Sequence, residues 1–284
     1  MTALKTDITD LRRAIVVISG QPTSDGAGVK LTRVIGQPAL PDLDPFLMLD
    51  EFRSDDARDY IAGFPDHPHR GFETVTYMLA GRMRHGDNKG HTGLLRPGSV
   101  QWMTAGRGIV HSELPEQEDG LMWGFQLWVN LPARDKMTEP RYQEIAPEEI
   151  PEVEPGDGSR VRVIAGSIGG VSGPIAGIAT DPTYLDVSLP AGGRFVHALP
   201  QAHNAFVYVF EGAARIGGQP IGRGRIAVLS RGERLEIEAT DGPARFILVA
   251  GKPLEEPVVK YGPFVMNTPE EIHQAIADFQ AGRF

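Results

Sequence analysis

The chain has 284 residues, 41% of them hydrophobic and 23% charged, a net charge of −9 and no Cys. That length suits two domains of ordinary size, and the missing Cys excludes disulfides, thiolate metal sites and Cys nucleophiles. The acidic balance argues against direct binding of a nucleic-acid backbone, which needs clustered Lys and Arg.

In chain order, Asp7, Asp10, Arg12 and Arg13 interrupt the apolar stretch that a signal peptide would need. No later run approaches the ~20 apolar residues of a membrane span, so the expectation is a soluble, cytoplasmic protein without a membrane partner. With 34 Gly and 23 Pro, many short strands are favoured over long helices. Residues 13–130 read as strands and turns: 14–19 is a short apolar strand, 29–35 alternates, and 46–52 and 74–79 are β-rich. In the strand near residue 125, period 2 places Trp123, Phe125, Leu127 and Val129 on one face and Met122, Gln126 and Trp128 on the other. Residues 144–159 hold six acidic residues and prolines at 147, 151 and 155 without periodicity, which reads as a surface linker. Strand patterns resume at 160–165 and run to 250. Thr268-Pro269-Glu270-Glu271 then supplies an N-cap, Pro at the first helical position and a capping-box Glu. The apolar stripe Ile272, Ile276 and Phe279 predicts a tail helix that packs on the protein, with Gly282 as its stop.

The halves overlay on each other: residues 76–81 match 207–212, and 105–107 match 231–233. This alignment drops His67 and His69 onto Ala198 and Pro200, and His111 and Glu113 onto Ile237 and Ala239, so all four groups vanish from the second half.

Those four residues carry the chemistry. His67-Pro68-His69 places two imidazoles on one face of an extended segment, and Pro68 restricts that segment to a strand start or a sheet edge. His111-Ser112-Glu113 repeats the spacing on another strand. A lone His-x-His is unspecific. Two such pairs facing one interior give three neutral nitrogens and a carboxylate, a set suited to Fe(II), Mn(II), Ni(II), Cu(II) or Zn(II). Two octahedral positions would remain for substrate or dioxygen. Glu73 shares the face of His69 and reads equally as a further ligand or acid/base group and as a polar rim residue. His85 and His91 flank a turn and read as solvated. His197, His203 and His273 lack a partner set, and Gln126, Met78 and Trp128 read as barrel wall before pocket. No Ser nucleophile motif, phosphate loop or dinucleotide fingerprint stands out.

The run His67-Pro-His-Arg-Gly-Phe-Glu-Thr-Val-Thr-Tyr77, the run from Arg96 to Glu113, and residues 44–52 and 262–268 resemble the pirin family of bicupins. The resemblance implies an all-β fold of two tandem cupin (β-sandwich or jelly-roll) barrels with a short C-terminal helix. The expected domains are a metal-binding cupin over 1–143, the acidic Pro-rich linker 144–159, and a cupin without metal ligands plus the helix over 160–284. Iron, as Fe(II), would be held by His67, His69, His111 and Glu113, while Glu73 is present but is not a regular ligand in that family. The implied activity is that of a quercetin 2,3-dioxygenase-like oxidoreductase. It would cleave a flavonol, a small aromatic substrate, with O2 and release carbon monoxide, and Glu113 or Glu73 would accept the substrate proton. The alternative is an iron-dependent redox-sensing regulator that binds a transcription factor or metabolic enzyme. A roomy apolar pocket over the metal argues for the enzyme, and a pocket closed by side chains argues for the sensor.

Overall fold

The structure, a computed structural model, describes residues 10–155 and 158–284. The first nine residues of the expected 1–143 domain, and residues 156 and 157 of the expected linker, lie outside the described residues. The β-rich runs form strands close to where the alternation places them, including Ala14–Ser19, Val29–Ile35, Phe46–Ser54 and Phe72–Ala80. Glycines in the left-handed region end matching strands of the repeat: Gly81 at φ 82 follows Phe72–Ala80, and Gly212 at φ 66 follows Asn204–Glu211.

Two compact units result, each an antiparallel β-sandwich of a seven-stranded and a four-stranded sheet. In the first, the large sheet runs Arg141–Ile145, Val100–Thr104, Phe72–Ala80, Met122–Asn130, Phe46–Ser54, Val29–Ile35, Gln21–Asp25. Its small sheet runs Phe64–His69, Ile109–Pro115, Met83–Asp87, Thr92–Leu95. The second repeats this order, with large sheet Ala14–Ser19, Arg225–Leu229, Asn204–Glu211, Ala244–Gly251, Thr183–Leu189, Arg160–Ala165, Glu152–Val153 and small sheet Arg194–Ala198, Arg234–Ala239, Ala213–Ile216, Gln219–Gly222. The internal repeat is therefore a repeat of topology, and the all-β, two-barrel expectation holds.

The units do not divide the chain as 1–143, 144–159 and 160–284. One comprises Gln21–Glu149 with Leu254–Phe284, and the other Ile150–Pro253 with the N-terminal segment through Gly20. The reason lies in one edge position. Beside Val100–Thr104 it is filled by Arg141–Ile145, but beside Arg225–Leu229 it is filled by Ala14–Ser19 from the other end of the chain. Glu144 and Ile145 thus belong to a strand rather than to a linker.

The tail helix Pro269–Gln280 has the predicted Thr268 cap and capping box, and it packs. Ile272 and Ala275 join Phe264, Met266 and Phe284 in a small core that also touches Val110. Phe279 remains 40% exposed, at the margin of the stripe. No helix among the described residues is long and apolar enough to cross a membrane.

Candidate metal centre

Register brings the histidines together. Phe64–His69 is the edge strand of its sheet, where Pro68 is tolerated, and His67 lies opposite His111 on Ile109–Pro115. A bulge between His111 and Glu113 sets Glu113 opposite Phe64. The three rings lie with centroids 4.5 to 5.0 Å apart, and one ligand atom from each falls within 4.8 Å of the others. The turn after His69 is fixed from below. Gly71 takes φ +88, and the buried Lys136 ammonium donates to Gly71 O at 2.7 Å, Asn130 Oδ1 at 2.7 Å and Val265 O at 3.0 Å. Burial lowers the Lys136 pKa to about 8.

The buried imidazoles are in the ligand form. Burial, then the neighbouring rings, lowers His69 and His111 well below the usual imidazole range, so both are neutral near pH 7. Pro65 O only accepts, so His67 Nδ1–H donates to it at 2.8 Å, which leaves Nε2 as the ring nitrogen for an ion. His69 Nδ1 and both ring nitrogens of His111 are buried with no hydrogen-bond partner. Orphaned buried nitrogens on converging neutral rings fit a borderline divalent transition ion. Glu113 stands just outside this cluster of three. Thr76 Oγ1 donates to its Oε1 at 2.8 Å, and Gln126 Nε2 to its Oε2 at 3.3 Å. Burial raises the Glu113 pKa against the pull of His67 and Thr76.

Glu113 belongs to a larger pattern. Directly paired residues of an antiparallel sheet share a face. Across six strands the pairs Glu144–Gln101, Gln101–Thr76, Thr76–Gln126, Gln126–Asp50 and Asp50–Arg33 form one continuous polar row. The same six positions of the other barrel are Val17, Ala227, Val207, Leu248, Leu185 and Val163; the last five belong to its aliphatic core and Val17 packs against it. The fold is thus built once around a dry interior and once around a polar belt.

A cavity of about 770 Å³ opens onto this belt. His67, His69, Glu113, Gln126 and Trp128 line it, with Leu31, Met48, Phe52 and Phe64 as apolar wall. Asp50, 3% exposed at its side chain, and Arg33 add a charged wall, joined by bonds of 3.0 and 2.8 Å. Gln126 and Trp128 therefore border the pocket, whereas Met78 stays in the core.

Glu73 does not line the cavity. It is buried and its Oε1 accepts from Thr104 Oγ1 at 2.7 Å, so of the two carboxylates weighed as acid/base only Glu113 lines the cavity. His85, expected in solvent, is fully buried and contacts Glu144, while His91 is partly exposed and stacks on Tyr142. The signal was absent from local sequence because Glu144 arrives from a distant edge strand. His197 falls out of step with the ungapped match of the two halves. It lies on the matching edge strand Arg194–Ala198, opposite Leu235, and residues 199–203 separate that strand from the next where only Arg70 and Gly71 do so in the first barrel. It has no inward-facing His or carboxylate opposite it, since Arg234–Ala239 turns Leu235, Ile237 and Ala239 inward. His203 pairs loosely with Asp181 at 3.8 Å, and His273 is exposed on the helix.

A family model described as Pirin matches residues 28–129, and one described as Pirin C-terminal cupin domain matches residues 184–284. A pirin-like protein of Caulobacter vibrioides is 54% identical over 96% of this chain and 99% of its own length. Human pirin is 45% identical over 95% of this chain and 92% of its own. The solved quercetin 2,3-dioxygenase of Acinetobacter baumannii is similar with a TM-score of 0.89 and 34% identity, covering 96% of this chain and 98% of its own.

Proposed function

The chain belongs to the pirin family, and from that premise we propose that it is an iron-dependent dioxygenase that opens a flavonol such as quercetin with O2 and releases carbon monoxide. The observation that carries this reading is the cavity of about 770 Å³ reaching His67, His69 and Glu113. That volume lies within the ~300–1,000 Å³ typical of small-molecule sites. A regulator that only sensed the iron would have no use for it, so the open cavity weighs toward the enzyme.

His67, His69, His111 and Glu113 would hold the ion. Iron, when bound, supplies Lewis acidity and a one-electron partner for dioxygen. The remaining work falls to the chain. His67 offers Nε2 because Pro65 O fixes the tautomer. Glu113 accepts the proton of the substrate hydroxyl, and Thr76 and Gln126 hold its two oxygens in place meanwhile. Phe52, Phe64, Met48 and Trp128 exclude water from the aromatic body of the substrate.

The test is quercetin loss and carbon monoxide release by Fe(II)-loaded protein in air, beside His69→Ala. Turnover that disappears in the variant supports the proposal. Absence of turnover in protein proven to hold iron would overturn the flavonol assignment.

A further inference from the structure

Next to the first cluster, on the neighbouring strand where His85 lies opposite Glu113, a second set of donors converges, and we propose that His85, His91 and Glu144 form a second site for a divalent transition ion of the zinc type. The three residues come from different places: the strand Met83–Asp87, the turn that follows it, and the edge strand Arg141–Ile145. One ligand atom from each lies within 4.8 Å of the others. His85 Nε2 contacts Glu144 Oε1, and His91 Nε2 lies 3.4 Å from that same oxygen. An ordinary histidine–carboxylate pair needs one imidazole. Two imidazoles on one carboxylate oxygen make the three-ligand set of an open zinc site, with a fourth position for water.

The site is built rather than a chance meeting of surface groups. His85 is fully buried. His91 is carried on a turn in which Asp87 Oδ1 accepts from the backbone N–H of Lys89 and His91 at 2.8 and 2.9 Å. Tyr142 donates to Asp87 Oδ2 at 2.9 Å and stacks on the His91 ring. Gln101 Nε2 donates to that same Glu144 Oε1 at 2.9 Å and so fixes the orientation of the carboxylate. Gly93 makes the convergence sterically allowed, because a Cβ there would run into His85 Nε2 and come within 2.5 Å of Glu144 Oε1. The half-exposed His91 and Glu144, at 39% and 33% side-chain exposure, give the ion a way in. None of this depends on the dioxygenase reading.

The experiment is equilibrium dialysis of chelator-treated protein against Zn(II), with metal counted per chain. Parent protein is expected to bind two equivalents. His91→Ala, Glu144→Gln and His69→Ala each bind one, and His69→Ala combined with His91→Ala binds none. An anomalous-scattering map should place one ion against His91. A single equivalent in the parent overturns the proposal, as does a second equivalent that survives in folded His91→Ala or Glu144→Gln.

Discussion

Thr76→Val tests whether the polar belt tunes the metal centre. Thr76 is 2% exposed, and its hydroxyl lies 2.8 Å from Glu113 Oε1 and 2.6 Å from Gln126 Oε1. Valine keeps the shape and removes the hydroxyl. The fold tolerates it, since Val207 stands at the matching place of the other barrel. A hydrogen bond to a charged group contributes about 1.5–3 kcal/mol, and about 1.4 kcal/mol is tenfold in an equilibrium constant. Loss of this bond should therefore weaken Ni(II) or Fe(II) binding about 10- to 100-fold, the range seen when an orienting partner of a metal ligand is removed. Calorimetric titration of chelator-treated protein reads the effect, with circular dichroism as the folding control. An unchanged or tighter Kd would refute the reasoning. The hydroxyl would then only hold Glu113 away from the histidines when no metal is bound.

Three further outcomes follow from the same geometry. Because the folded pKa values of His69 and His111 lie below that of the unfolded ring, the unfolded chain takes up protons first below about pH 6.5. Metal-free protein should lose up to about 1.4 kcal/mol of stability per pH unit for each ring on acidification toward pH 5. Glu113, raised by burial, acts in the opposite sense: its contribution is complete below the unfolded carboxyl pKa and fades as pH rises through the folded one. His111→Ala should flatten the pH dependence of the melting midpoint, and parallel slopes would contradict the assignment. Gly71→Ala should cost at least about 2 kcal/mol, because φ +88 disfavours a side chain and a Cβ would strike Val265 O. It should also weaken metal binding through His69, and a variant with parental melting and affinity would show that the turn has slack. Asp50→Asn should destabilise by about 1–3 kcal/mol, since one oxygen cannot serve both arms of Arg33. The pair Arg33→Val with Asp50→Leu, copying Val163 and Leu185, should come closer to parental stability in urea than the single change.

What the sequence showed and hid divides by the range of the pairing involved. The spacing His67-x-His69 and His111-x-Glu113 is local, so alternation alone placed each pair on one face, and the structure set the two strands side by side. The tail helix was equally readable, because its cap, Pro269 and stripe lie within a few turns of each other. The exchange of edge strands was not. Ala14–Ser19 looks like any short apolar strand, and only a pairing more than 200 residues away assigns it to Arg225–Leu229. His197 was hidden for a related reason, since the connection after its strand is longer than the one after His69 and the two halves do not match there without a gap.

The polar belt is the strongest case of information that exists only in register. Glu144, Gln101, Thr76, Gln126, Asp50 and Arg33 come one each from six separate strands. Each alone reads as a rim residue or a tolerated exception. Gln101, Thr76 and Asp50 are buried, and each left unpaired would cost about 1–3 kcal/mol. Aligned in one row the six find polar partners: Arg33 with Asp50, Gln101 with Glu144, and Thr76 and Gln126 both donating to Glu113. That alignment supplies a reason for their presence. A buried carboxylate such as Glu113, proposed as a ligand, needs a polar floor inside a barrel, and the sibling barrel, with Ile237 and Ala239 on the corresponding strand, has aliphatic residues at all six positions. Belt and metal centre should therefore stand or fall together. Replacing His67, His69, His111 and Glu113 by apolar residues while keeping the belt should destabilise the barrel more than replacing both, which urea unfolding of the two multiple variants would reveal.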